Sequence, residues 1–293
     1  MSVQVFREVE RKMTEVLGKT VRILSMQPLG GGCIHQTSKI ETNAGSWFLK
    51  WNANSAPDIF EQEARGLQAL KNAAADGLKI PEVLCSKMVD ELPGFLVLEY
   101  LQPGHPAHYD EQLGHGLAAI HRSTQASFGF DSHTYCGDTL QNNSFCGDWI
   151  TFFRKNRLEH LLQGIDDRRG LSVGEKKVYY QLLDRLPLLI PAGSKPALIH
   201  GDLWSGNVMA TSAAPALIDP AVSYSEREME FAIITLFGGF SQRFYAAYNE
   251  AYPLAPDWKE RNLLYQLYHL LNHYLLFGGA YGAQALSVAR SYL

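Results

Sequence analysis

The feature that most constrains this chain is a spacing of polar residues between apolar runs. Ala197-Leu198-Ile199 leads into His200-Gly201-Asp202-Leu203-Trp204-Ser205-Gly206-Asn207, which is followed by Val208-Met209. A second apolar segment, Ala216-Leu217-Ile218, then ends in Asp219. Transfer of a phosphoryl group asks little covalent chemistry of a protein. It needs ligands for the metal ions that clamp the phosphates, and a carboxylate that orients the attacking hydroxyl. An Asp, four residues, an Asn, and another Asp one strand later meet that need. A surface turn before a strand would also collect Gly, Asp and Asn, so the reading depends on partners upstream.

Those partners stand in the expected order. Gly30-Gly31-Gly32-Cys33 lies between two β-prone runs, Val21–Pro28 and Thr37–Thr42. Gly31, Gly32 and Cys33 could bring backbone N–H groups over phosphates, although a glycine-rich hairpin turn has the same composition. Lys50 closes a third β-prone run, Ser46–Trp51, and Glu63 lies in the helical pattern Asp58–Ala75. A strand Lys paired with a helix Glu holds the α/β-phosphates in this chemistry; Glu61 is the alternative partner. Glu99-Tyr100-Leu101 ends an apolar strand, Gly94–Tyr100, where a hinge would present backbone to adenine.

Beyond Gln102-Pro103-Gly104 the period turns helical, in Leu113–His121, Trp149–Leu162, Val173–Leu189 and Trp258–Phe277. The expected fold class is α+β: a small antiparallel-sheet lobe with one main helix, residues 1–100, and a larger, mainly helical lobe, residues 101–293. A cleft between two such lobes is a natural ligand site.

Composition narrows the partners. Lys+Arg (26) and Asp+Glu (30) nearly balance, the formal net charge is −4, and no run of like charge stands out. Neither nucleic acid nor an acidic membrane surface is expected. The N-terminal stretch Met1–Met13 is charged throughout and lacks the apolar core of a signal peptide. The longest apolar run, Phe231–Phe240, falls short of the roughly 18–20 residues that span a bilayer. The four cysteines, Cys33, Cys85, Cys136 and Cys146, lack zinc-type spacing, so a cytoplasmic protein with reduced thiols is expected. Two motifs are decoys. Gly18-Lys19-Thr20 lacks the first glycine of a Walker A loop, because Met13 occupies that position. His269 and His273 stand four apart without an HExxH glutamate, as a packed helix face would. His121 reads as a core histidine.

Together His200–Asn207, Asp219-Pro220-Ala221, Leu236-Phe237-Gly238-Gly239-Phe240 and Leu264–His273 (LYQLYHLLNH) resemble the fructosamine kinases, or ketosamine-3-kinases, across nearly the whole chain. The wider superfamily includes aminoglycoside phosphotransferases and choline kinases. The resemblance implies a two-lobed, protein-kinase-like fold. It also implies ATP- and Mg2+-dependent phosphorylation of the sugar 3-hydroxyl in small-molecule or protein-bound ketosamines, a deglycating repair activity. In that frame Asp202 orients the hydroxyl, Asn207 and Asp219 bind Mg2+, and Lys50 with Glu63 positions the phosphates. Trp204 could pack on the sugar, and Glu228 could attract the substrate's cationic amine while Glu230 braces the catalytic loop. A kinase of another hydroxylated amine, or a silent nucleotide-binding scaffold, is the competing class. A thiol at Cys33 could be redox-sensitive, its oxidation or a disulfide to another chain's Cys33 blocking the phosphate site in a homodimer.

Overall fold

The computed structural model describes residues 2–30, 35–90 and 93–293. Helix α1 (Ser2–Leu17) comes first, an element that the charged N-terminal sequence does not announce. Val5, Val9 and Met13, spaced four apart, form one face and are fully buried. That face packs on Ile40, Leu49, Phe95 and Val97 of the sheet behind it. Gly18 ends the helix in the left-handed region (φ +65°), its N–H donating to the Thr14 carbonyl, so the Gly18-Lys19-Thr20 motif is a helix stop.

The sheet contains β1 (Ile23–Pro28), β2 (Gln36–Thr42) and β3 (Gly45–Asn52), then, after helix α2 (Ile59–Ala73), β4 (Val83–Lys87) and β5 (Gly94–Glu99). All pairs are antiparallel, in the order β1-β2-β3-β5-β4. Successive strand residues face opposite sides. Leu49 therefore joins the apolar layer under α1, while Lys50, opposite Thr37 on β2 and Leu96 on β5, faces the other way. On α2 the buried stripe Phe60, Glu63, Leu67 and Leu70 has helical spacing, with Glu63 its one acidic member.

The second half is mainly helical. It opens with α3 (Tyr109–Arg122), a hairpin of β6 (Thr134–Cys136) and β7 (Thr139–Gln141), and α4 (Trp149–Phe152). The chain continues through a π-helical stretch, Phe153–Glu159, into α5 (His160–Arg169), and then α6 (Val173–Leu189). Strand β8 (Ala197–Ile199) is followed by the hairpin of β9 (Val208–Ala210) and β10 (Pro215–Leu217), and by β11 (Ser223–Ser225), which pairs with β8. Helices α7 (Glu228–Leu236), α8 (Gln242–Ala251), α9 (Trp258–Phe277) and α10 (Ala280–Ser291) complete the chain. One apolar core joins α4, α5, α6, α9 and α10. A second, containing Leu67, Leu96, Leu117, Leu198, Leu217 and Phe231, runs from α2 and the sheet to β8, β10 and α7. This shared core fixes the sheet half against the strands that carry the aspartates. The fold is α+β, and among the described residues no helix is long and apolar enough to cross a membrane.

Candidate active site

Strand β8 is buried at all three positions, so the chain must turn sharply to bring Asp202 to an open face. Gly201 makes that turn at φ +84°; a Cβ there would lie 2.1 Å from the Ala221 carbonyl oxygen. The turn is held from below. Glu230 on α7, fully buried, accepts from the backbone N–H of His200 (2.5 Å) and Gly201 (3.0 Å). His200 donates from Nε2 to the Ile218 carbonyl (2.9 Å) and accepts at Nδ1 from the Asp202 N–H (3.3 Å). Burial depresses its pKa, so this neutral tautomer persists. Ala221 N–H donates to His200 O and Ile218 N–H to Asn207 O, which zips the two aspartate-bearing segments together.

Beneath Glu230 lies His121, fully buried, with Nδ1 2.8 Å from the Tyr248 hydroxyl and Nε2 3.6 Å from Glu230. Arg227 donates to the same hydroxyl (3.0 Å). His121 is a core residue whose neighbours reach the catalytic turn through Glu230.

In the cleft, Asn207 donates through Nδ2 to the Asp202 carbonyl (2.7 Å) and to its carboxylate (3.1 Å). Its amide oxygen therefore points the other way. Asp219, a non-glycine residue at φ +55°, presents its carboxylate to Lys50 Nζ at 3.0 Å, and Lys50 also holds Glu63 at 2.8 Å. Glu61 is not the partner of Lys50. Burial works against the Lys50 charge, but Asp219 and Glu63 outweigh it and hold its pKa above the ordinary lysine value. Burial also opposes ionisation of Asp219, and there Lys50 prevails and lowers the pKa. Glu63, deeper and beside a second carboxylate, is raised by burial. Asp202 is pushed up to about 8, chiefly by burial and against the bond from Asn207, with Asp219 and Glu230 adding to the rise. Asn207 and Asp219 offer oxygen donors only, which suits a hard cation such as Mg2+.

Lys50, Glu63, Asp202, Trp204, Asn207 and Asp219 line one cleft. Trp204 is 36% exposed and its ring covers Gly206, where a Cβ would meet it at 2.3 Å; Phe237 stands 5.8 Å away. Glu99, Tyr100 and Leu101 do not line this cleft. The Glu99 N–H donates to the Glu82 carbonyl, and the Tyr100 ring carries the Lys39 ammonium at 4.6 Å. Gly31, Gly32 and Cys33 lie outside the described residues.

Glu228 requires a correction. It is buried, both carboxylate oxygens accept from Arg261 (2.7 and 2.8 Å), and it lines a different cavity, beside Pro191, Lys195 and Tyr265. A carboxylate saturated by a guanidinium is poorly placed to attract a substrate amine.

Among the contributors to the cleft that sequence reasoning missed are His35, Thr134 and Tyr135. His35, with Nδ1 3.2 Å from Asn52 Nδ2, is driven down to about 4 by burial and then by Lys50, and stays neutral. Thr134 and Tyr135, on β6, form the opposite wall; Tyr135 donates to Asp58, just before α2, at 2.6 Å. The Gly137-Asp138 pair between two short runs was the available signal for this hairpin.

A family model described as fructosamine kinase matches residues 5–293. The chain is 36% identical over 282 residues to the chloroplastic protein-ribulosamine 3-kinase of Oryza sativa subsp. indica, covering 94% of this chain and 81% of that protein. A solved structure from Haemophilus somnus 129PT, named for fructosamine-3-kinase, superposes with a TM-score of 0.86 at 27% identity, over 97% of this chain and 96% of that one. A variant of the aminoglycoside phosphotransferase APH(4)-Ia superposes at a TM-score of 0.64 and 16% identity, over 97% and 98% of the two chains, a likeness of fold alone.

Proposed function

Because the chain belongs to the fructosamine kinase family, we propose that it uses ATP to phosphorylate the 3-hydroxyl of the sugar in ketosamines, fructosamine and ribulosamine adducts of amines or proteins. The 3-phosphorylated adduct is unstable, so the activity is one of deglycation. One observation carries the assignment of the site: Lys50–Glu63–Asp219 and Asp202–Asn207, drawn from both halves of the chain, meet in one cleft.

In this reading residues 1–100 form the nucleotide lobe and residues 101–293 the catalytic lobe. Lys50, kept charged by its two carboxylates, positions the α/β-phosphates, with Gly31, Gly32 and Cys33 above them. The backbone of Glu99-Tyr100-Leu101 would meet the adenine beyond the cleft that holds the aspartates, with the Glu99 N–H itself engaged by the Glu82 carbonyl. Asn207 and Asp219 would hold Mg2+, which supplies charge neutralisation on the phosphates. Asp202 accepts a hydrogen bond from the substrate hydroxyl, aims it at the phosphorus and receives its proton. The transition state is loose, so Asp202 contributes more by positioning than by basicity. Burial, which raises its pKa, makes the ionised carboxylate a stronger acceptor for that proton. Trp204 offers an aromatic face to the C–H face of the sugar. Cys85, Cys136 and Cys146 are all free thiols, consistent with a reducing, cytoplasmic setting.

The test is ATP consumption with Mg2+ against fructosyl- and ribulosyl-lysine, beside choline and an aminoglycoside. Turnover is expected on the ketosamines, with phosphate on the 3-hydroxyl; turnover on choline or the aminoglycoside alone would remove the ketosamine assignment. Asp202→Ala is expected to lose at least about 100-fold in turnover while keeping nucleotide affinity. Near-normal turnover in that variant would refute its role.

A further inference from the structure

Asp202 has neighbours that phosphoryl transfer does not require. Cys136 ends β6, His269 lies within α9, and one ligand atom from each of Cys136, Asp202 and His269 lies within 4.8 Å of the other two. Three elements distant in sequence supply this cluster. His269 is 1% exposed; its ring bonds the Met229 backbone, and Nδ1 has no hydrogen-bond partner among the described residues. An unpartnered polar atom in so dry a place is costly, and calls for a ligand. Burial, with His273 adding to it, drives His269 down to about 3, so the free nitrogen keeps its lone pair at neutral pH. Cys136 is 3% exposed, and its sulfur accepts from Asn272 Nδ2 at 3.3 Å. Burial holds it as a thiol, against the nearby Arg157 guanidinium, until a metal takes the place of its proton.

We propose that Cys136, Asp202 and His269 form an inhibitory zinc site, entered through the cleft, that withdraws the hydroxyl-orienting carboxylate from the reaction. The inhibitory part rests on the role given to Asp202 above; the site itself rests on the cluster. Thiolate, imidazole and carboxylate are a zinc donor set, whereas Mg2+ takes oxygen. Bonds of about 2.0–2.3 Å to a tetrahedral ion set ligand atoms roughly 3.5 Å apart, so binding would draw the cluster in from separations of up to 4.8 Å. One thiolate and one carboxylate cancel the ion's charge, so the buried complex is neutral. Three protein ligands leave the fourth position to water. Binding sends the Cys136 proton, and any proton on Asp202, to solvent, with no change of oxidation state.

The experiment is equilibrium dialysis of metal-free, full-length protein against Zn2+, without nucleotide and with a non-thiol reductant, followed by X-ray absorption. One Zn2+ per chain is expected, with one sulfur at about 2.3 Å in its shell. Cys136→Ser and His269→Gln should each weaken binding by at least about 10–100-fold, the loss that even an outer partner of a metal ligand costs. Asp219→Asn should leave it in place. With saturating Mg2+ and ATP, Zn2+ should slow wild-type turnover reversibly, a chelator restoring it. The inhibition constants of the two ligand variants, each relative to its own zinc-free rate, should rise in parallel with their binding constants. A shell without sulfur, no binding, or binding lost in Asp219→Asn but kept in Cys136→Ser would overturn the site. Tight binding that leaves turnover untouched would overturn the inhibition. Zinc bound through sulfur in a protein that turns over no ketosamine would uphold the site and remove only the kinase reading, so the two fail separately.

Discussion

Two trios of charge in this molecule have almost the same anatomy and opposite characters. In the cleft, Lys50 joins the buried Glu63 to the half-exposed Asp219; at the start of α7 and α9, Arg261 joins the buried Glu228 to the half-exposed Asp257. Side-chain exposures run 8%, 8% and 42% in the first, and 8%, 8% and 51% in the second. What separates them is saturation. The guanidinium fork occupies both oxygens of Glu228 and both of Asp257. The ammonium of Lys50 meets one oxygen of each carboxylate, and among the described residues the buried Glu63 Oε1 has no hydrogen-bond partner. A closed set of bonds stabilises a fold; an open one keeps lone pairs for a ligand. Burial and charge alone do not distinguish structure from function, but unused bonding capacity does.

The largest expected effect is on the closed trio. Arg261→Met strands two carboxylates, one of them buried, and should cost about 3–5 kcal/mol of stability in urea unfolding. Turnover per folded molecule should stay near wild type; a loss there as large as in Lys50→Met would erase the distinction. Lys50→Met should show the inverse pattern. Turnover should fall about 10²–10³-fold, while the unfolding midpoint moves less than in Arg261→Met, because the cleft is open to water and Glu63 is already driven toward protonation. A smaller pair of changes sharpens the point. Arg261→Lys gives up the fork and should cost about 1–2 kcal/mol. Lys50→Arg keeps the charge, yet its planar fork would bond the very oxygens the site leaves open, and turnover should drop with little change in stability.

The same contrast explains what the sequence disclosed. Asp202, Asn207 and Asp219 are tied by spacing along one turn and one hairpin, so their proximity could be read directly. Lys50 and Glu63 are joined by two local periodicities, alternation on β3 and the helical stripe of α2. The bounds of α6 and α9 followed from period and flanking residues. Glu228 was misread because an acidic helix start looks the same whether it faces solvent, a substrate amine or an arginine far along the chain. Helix α1 escaped notice because its three-residue apolar stripe is diluted by charge, and the β6–β7 hairpin because three-residue strands scarcely alternate. Cys136 and His269 become neighbours only through tertiary packing, which no local pattern encodes.

The smallest effect tests the comparison most finely, because it sets two half-exposed aspartates against each other. Asp257 is held below its usual carboxylate pKa of 3.8 by hydrogen bonds from Arg261. A depressed folded-state value means that the unfolded chain binds the proton first as pH falls. The stability it contributes is therefore intact above about pH 3.8 and is lost below that, as pH falls through the folded-state pKa. Asp257→Asn should leave turnover unchanged and flatten the acid limb of the stability curve below about pH 4, as followed by urea unfolding at stepped pH. Asp219→Asn, at similar exposure and beside a cation just as buried, should instead remove turnover at every pH. If Asp257→Asn also lost turnover, the closed trio would be coupled to the cleft, and saturation would no longer separate a brace from a site.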